Sequence, residues 1–226
     1  MTDSGTRAPR IAFVHTAGFL IERFQRLTQE NLPGVDVSHL LNESLLKDLL
    51  RTGASPAITR RIVQQAMLAA DGDVDLVVFT CSSTSPSIDI ARQLISVPVL
   101  KIDDPMAEKA VSIGTRIGLL CTAHSTVTPS SELLQAHARQ AGKEISISVS
   151  LATDAYAALF AGNQARHDEI ITEAALKLAE TCDLIVLAQA SLAHLRDSIG
   201  GKIGIPVLAS PPLLMERLRA QFNPAA

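Results

Sequence analysis

The feature that most limits the fold is a repeat. Arg10-Ile-Ala-Phe-Val-His-Thr16 returns as Arg116-Ile-Gly-Leu-Leu-Cys-Thr122, 106 residues later. Asp75-Leu-Val-Val-Phe-Thr-Cys81 returns as Asp183-Leu-Ile-Val-Leu-Ala-Gln189, and Val97-Pro-Val-Leu100 as Ile205-Pro-Val-Leu208, each at an offset of 108. A period this long is not a solenoid unit; it marks two similar domains in one chain. The matched segments are short apolar runs, which read as parallel strands buried on both faces.

Between these strands the spacing predicts helices. Phe19, Leu20, Phe24 and Leu27 recur at helical spacing in Phe19–Gln29. Ser55-Pro56 opens a longer helix with Ile58, Ile62, Val63, Ala66 and Met67 on one stripe. With a strand at Val35–Leu41 and helices over Asn42–Leu50 and Ile88–Leu94, the first half alternates strand and helix. That alternation predicts an α/β fold: two tandem pseudo-symmetric sandwich domains with parallel sheets, residues 1–104 and 105–210. A helix at Met106–Ile113 makes the crossing between them. The helix opened by Pro211-Pro212, Leu213–Phe222, has no counterpart before residue 105 and is expected to join the first domain with the rest of residues 211–226.

Composition removes several function classes. Three cysteines, odd in number and far apart, make neither a disulfide framework nor a metal-ligand pair, which fits a reducing compartment. Met1–Pro9 is polar and reads as a disordered lead-in rather than a signal peptide. No apolar run approaches the roughly 18 to 20 residues that span a bilayer. A net charge of −3 with scattered Lys and Arg, few aromatics and no Trp leaves no footprint for nucleic acid. The expectation is a soluble cytoplasmic α/β protein, without a nucleic-acid or membrane partner. Paired sites and apolar faces suggest a homo-oligomer.

Paired domains place a site in the cleft between them, lined by the loops beyond their strand ends. Four loops qualify: His15–Gly18, Cys81–Thr84, Cys121–Ser125 and Gln189–Ser191. Cys81 stands out. It follows a buried strand and precedes a helix start at Pro86, so the N–H groups of Ser82, Ser83 and Thr84 should favour its thiolate. A pKa below the free-thiol value of about 8.5 is expected. His15 is the candidate second acid/base. Thr16, Ser82, Ser83, Thr84, Thr122, Ser125 and Ser191 are candidate ligands for a substrate carboxylate, although such residues also cap helices. Cys121 and His124 share the equivalent second-half loop, with burial the favoured reading for the thiol. Cys182, at a strand entry, reads as structural; Asp103 and Asp104 read as helix caps; Asp75 and Asp183 read as solvated. There is no G-x-G-x-x-G, P-loop or H-E-x-x-H, and Lys101 is an isolated strand-end lysine, so no cofactor or metal is expected.

Phe79-Thr-Cys-Ser-Ser83 after the third strand and Ile117-Gly-Leu-Leu-Cys-Thr122 opening the second half carry a resemblance. From about Arg10 onward the chain resembles the aspartate/glutamate/hydantoin racemase superfamily. The resemblance implies a cofactor-independent enzyme that handles a proton at the carbon next to a carboxylate. Racemases of that family use one cysteine from each half. Cys81 matches the first, and the second falls on Gln189. A neutral amide hydrogen-bonds but is no base. The similar arylmalonate decarboxylases use one cysteine, but in the second half. The expected function is thiol-based proton transfer on a small carboxylate or cyclic imide. A one-cysteine decarboxylase or lyase, and a non-catalytic ligand-binding protein, are the alternatives.

Overall fold

The computed structural model describes residues 7–223; most of the polar lead-in, and the disorder expected there, lies outside them. The first half contains β1 (Arg10–His15), α1 (Phe19–Asn31), β2 (Asp36–Leu41), α2 (Glu43–Thr52), α3 (Pro56–Ala70), β3 (Leu76–Phe79), α4 (Ser85–Ala91) and β4 (Val99–Lys101). After α5 (Asp104–Ile113) the series resumes with β5 (Arg116–Cys121), α6 (His124–Gln140), β6 (Ser146–Leu151), α7 (Thr153–Phe160), α8 (Gln164–Ala179), β7 (Leu184–Leu187), α9 (Arg196–Ile203) and β8 (Val207–Ala209). The chain ends in α10 (Ser210–Phe222).

The strands form two four-stranded parallel sheets, ordered β2-β1-β3-β4 and β6-β5-β7-β8. The register repeats as well: Ile11 pairs with Leu76 in one sheet, and Ile117 with Leu184 in the other. The halves share even their connecting bonds. Thr80 N–H donates to Val14 O at 3.1 Å, and Ala188 N–H to Leu120 O at 3.0 Å. β3 and β7 are buried along their whole length, as strands covered on both faces must be.

Helix starts follow local chemistry. Ser55 Oγ accepts from Ile58 N–H at 3.3 Å, with Pro56 in the first turn of α3. Before α4 the chain first makes a 3-10 turn, Ser82–Thr84, so the helix begins later than a direct strand-to-helix turn would allow. Gly118 on β5 lies where a Cβ would come within 3.3 Å of both Cys182 Sγ and Leu178 Cβ. Cys182 is packed there, at the strand-entry end.

Several sequence expectations change. Asp75 and Asp183 are not merely solvated; they bind the starts of β1 and β5. Asp75 accepts from Arg10 N–H at 2.7 Å, and Asp183 from Arg116 N–H at 2.8 Å and Thr115 N–H at 3.0 Å. The Arg116 hydrogen bonds hold the Asp183 carboxyl far below its usual range. Asp103 stands at the cap of α5 without making a cap bond. Asp104 accepts instead from Lys101 N–H and Arg92. Phe19 and Met67, on predicted apolar stripes, are exposed. No such change concerns α10, which seats Leu214, Met215 and Leu218 in the first-half core with Phe13, Phe24 and Ile102.

Candidate active site

Each central strand ends in an extended residue that starts a 3-10 turn. Cys81 (φ −124°, ψ 116°) precedes Ser82–Thr84, and Gln189 (φ −139°, ψ 137°) precedes Ala190–Leu195. The turns close alike, Thr84 N–H on Cys81 O at 3.1 Å and Leu192 N–H on Gln189 O at 3.0 Å. The repeat thus delivers Cys81 and Gln189 to equivalent places. Both line one cavity of about 200 Å³. Its inner wall is hydroxylic: Thr16, Ser82, Ser83, Thr122, Ser125 and Ser191. Its rim is apolar, built by Phe19 of α1, Leu46 and Leu50 of α2, and Tyr156, Leu159 and Phe160 of α7. No charged side chain is among the described residues that line it.

Hydrogen bonds across the cleft fix the two walls. Ser82 Oγ donates to Ala188 O at 3.1 Å, and Ser83 Oγ meets Ser125 Oγ at 3.0 Å. Arg23 of α1 donates to Ala190 O at 2.8 Å. Gln189 is oriented as firmly. Its Oε1 accepts from Thr122 N–H at 2.6 Å and from the Thr122 hydroxyl at 2.8 Å. A backbone N–H only donates, so the oxygen must face Thr122. The NH₂ remains as a donor with no partner among the described residues.

Cys81 is part-exposed at the cavity wall. Its titration runs against the sequence expectation. Burial pushes the thiol up, while the Thr16 hydroxyl and the N–H groups of Ser83 and Thr84 pull the other way and the Asp103 charge adds to the rise. The expected dipole is weak because only a three-residue turn and a short α4 stand behind the thiol. The balance of these effects favours the protonated thiol.

His15 is not on the cleft wall. It has no exposed surface, and both ring nitrogens are engaged, Nδ1 with Thr80 Oγ1 at 2.8 Å and Nε2 with His39 Nδ1 at 2.9 Å. Thr80 gives its proton to Val14 O, so His15 Nδ1–H is the donor to Thr80. Burial, and then His39, lower the His15 pKa to about 4. The ring is a neutral link in a buried ladder that reaches Gln25 through His39. Cys121 is also absent from the cavity wall. It lies in the apolar core with Val186 and Ala188, and burial pushes its thiol up to about 12. His124 is exposed at the start of α6 and faces an outer vestibule of about 740 Å³ that shares Ser83, Thr122 and Ser125 with the inner cavity. Thr84 folds back, its hydroxyl donating to Cys81 O at 2.7 Å. Lys101 pairs with Asp89 at 2.8 Å.

Asp103 holds the cap position read from sequence, but its carboxyl makes no cap bond, which sequence reasoning missed. It is 2% exposed; Oδ1 accepts from the Ser210 hydroxyl, and Oδ2 is buried without a partner among the described residues. Burial lifts its pKa to about 6 despite the Ser210 bond. Local sequence reads Asp-Asp-Pro as a cap, and nothing local points to Ser210. The apolar rim was missed too, because exposed Phe19 and Phe160 look like ordinary core residues in one dimension.

The fold has known counterparts. The glutamate racemase isoform RacE1 from Bacillus anthracis superposes with a TM-score of 0.73 at 11% identity, over 95% of this chain and 82% of that one. Allantoin racemase from Klebsiella pneumoniae gives 0.68 at 17% identity, over 94% and 88%. A variant of arylmalonate decarboxylase gives 0.59 at 13% identity, over 96% and 95%. In sequence, an uncharacterized protein of Schizosaccharomyces pombe is 27% identical over 157 residues, 67% of this chain and 65% of that relative's length. Residues 18–218 match the family model described as Asp/Glu/Hydantoin racemase, which takes in the second sheet, the first sheet apart from β1, and both turns of the cleft. By that match, and by the duplicated sheets beneath it, the chain belongs to the Asp/Glu/hydantoin racemase family.

Proposed function

We propose that this protein is a cofactor-independent enzyme that transfers a proton, on one face only, at the carbon next to a carboxylate. The observation that carries the reading is the unlike pair at the two equivalent strand ends, thiol Cys81 against amide Gln189, on one cavity. The Gln189 NH₂, with the hydroxyls of Thr16, Ser83 and Ser125, would hold the carboxylate and the enediolate that forms from it. Cys81 Sγ–H would supply the proton, or its thiolate would remove one. Because an amide cannot return a proton, the opposite face has no acid, and the product should have one handedness.

The raised pKa of Cys81 favours the donating direction. A protonated thiol suits capture of a carbanion left by decarboxylation or bond cleavage, so a lyase reading stands beside isomerisation. The cavity lining also bears on substrate. With no charged side chain there, a second carboxylate would be buried without a partner, at a cost of several kcal/mol. A monocarboxylate or a neutral cyclic imide carrying an apolar group fits better than a dicarboxylate.

The test is a panel of amino acids, hydantoins, hydroxy acids and 2-substituted malonates in D₂O, followed by NMR at the α-carbon. One-handed deuterium incorporation, lost in Cys81→Ser, is expected. Absence of exchange or turnover across the panel would sink the reading and leave a small-ligand binder.

A further inference from the structure

A second cluster lies beside the cleft, and none of its three residues lines the cavity that holds Cys81 and Gln189. His167 and Asp168 sit near the start of α8, and His194 sits in the turn that begins after Gln189. One ligating atom from each lies within 4.8 Å of the other two. Asp168 Oδ1 is 2.7 Å from His167 Nδ1 and 3.0 Å from His194 Nε2. Gln164, one turn earlier on the same face of α8, completes the group. Its amide nitrogen is 2.6 Å from Asp168 Oδ1 and 3.3 Å from each of the two ring nitrogens.

The tautomer of His194 is fixed by its other nitrogen. Nδ1 lies 2.9 Å from the Ser191 carbonyl oxygen, which only accepts, so Nδ1 carries the hydrogen. In the neutral ring Nε2 is then a lone pair aimed at a carboxylate oxygen, two acceptors face to face. A ring N–H anchored on a backbone carbonyl is also the arrangement that orients a metal-binding imidazole. The cluster therefore has converging acceptors, an oriented second shell and an amide parked over the common point.

We propose that His167, Asp168 and His194 form a divalent transition-metal site, best suited to zinc, with the Gln164 carbonyl oxygen or water as the fourth ligand. Two imidazoles and one carboxylate are borderline donors, better matched to zinc, cobalt or nickel than to magnesium or calcium. Tetrahedral zinc at about 2.0–2.1 Å from each ligand sets neighbouring ligand atoms about 3.3 Å apart. The two contacts to Asp168 Oδ1, 2.7 and 3.0 Å, would open by roughly half an ångström, with the Gln164 amide turned about its end. An entry path exists: a cavity of about 560 Å³ is lined by Phe160, Gln164, His167, Ser191 and His194. Arg23 lines it too and opposes a dication, so micromolar rather than nanomolar affinity is expected. A bound ion would pin the turn that carries Gln189, but the site stands whether or not the proposed reaction is correct.

The experiment is calorimetric titration of ZnCl₂ into chelator-stripped full-length protein, repeated with CoCl₂ followed by visible absorption. One ion per chain and a tetrahedral cobalt spectrum are expected. His194→Ala and Asp168→Asn should each weaken binding by at least roughly tenfold, while keeping the wild-type circular dichroism. Cys81→Ser should bind zinc like the wild type, which separates this cluster from the free thiol. No binding at millimolar metal, or binding unchanged in both His194→Ala and Asp168→Asn, overturns the proposal.

Discussion

The two halves keep one backbone and spend it differently. In each, the threonine that follows the first strand supports the residue that follows the third: Thr16 faces Cys81, and Thr122 binds Gln189. One position earlier the halves diverge. His15 and Thr80 form a hydrogen-bonded polar pair, whereas their equivalents Cys121 and Ala188 are packed in an apolar core. The duplicated scaffold therefore fixes where groups sit but not what they are. Under the proposed function the first half brings the acid/base and the second half the anchor.

Substitution at the two strand ends should break that division most visibly. Cys81→Ala is expected to lower turnover by about a thousandfold, the range for a lost general acid or base. Gln189→Ala removes the NH₂ donor, and with it the acceptor for Thr122, but no acid or base, so a loss of about a hundredfold is expected, read mainly in kcat. Equal losses at both positions would mean that the halves share the chemistry. Gln189→Cys makes the halves alike again. Chiral chromatography of the product should then show both enantiomers, where the wild type gives one.

A middle-sized effect should separate the polar pair from the apolar one. His15→Leu leaves Thr80 and His39 facing an unbonded neighbour and should cost about 2–4 kcal/mol in urea denaturation. Cys121→Ala removes one buried sulfur and should cost about 1–2 kcal/mol. The pH dependence sharpens the contrast. His15 has a folded pKa depressed from 6.5 to about 4, so its neutral form contributes stability above pH 6.5 that is lost as pH falls through 4. The full loss is about 3 kcal/mol and should be absent in His15→Leu. If His15→Leu instead abolishes turnover at unchanged stability, the ring serves the reaction directly.

These residues also show how far sequence carries. The strands of both sheets that are buried on two faces are continuous apolar runs, and their repeat can be read by eye. β6, Ser146–Leu151, alternates serine with apolar residues because it is an edge strand, so it gives no such run. The offset of the repeat, carried over from β2, is the signal that finds it. The side chain of His15 was not legible, since neighbouring strand residues point to opposite faces and only the tertiary fold decides which face meets the cleft. The thiol pKa was misread for a similar reason. The N–H donors beside Cys81 are local, whereas the burial that outweighs them, and the smaller push from the Asp103 charge, come from distant chain.

Asp103 gives the smallest effect and the finest test of the comparison, because it is a buried carboxyl at one of the places where the halves touch. The residue after β8, Ser210, donates its hydroxyl to Asp103 at the end of the other sheet. The second carboxylate oxygen is buried with no partner among the described residues, and the folded pKa is raised from 3.8 to about 6. A raised acid contributes stability in full below 3.8, and that contribution is lost as pH rises through 6. Between about pH 5 and about pH 7.5 the wild type should lose about 1 kcal/mol from this group. Asp103→Asn keeps an acceptor for Ser210 and cannot ionise, so this loss should vanish. At neutral pH the two changes nearly cancel: relief of the buried charge offsets an amide NH₂ left unpaired, at about 1–3 kcal/mol. The melting temperature near neutrality should therefore barely move while its pH slope flattens. Removing the charge should also ease ionisation of Cys81, so iodoacetamide should label that thiol faster at fixed pH, with Cys121 and Cys182 still protected. An unchanged pH slope would show that Asp103 ionises as it does in water, and that the bond between the halves carries no buried charge.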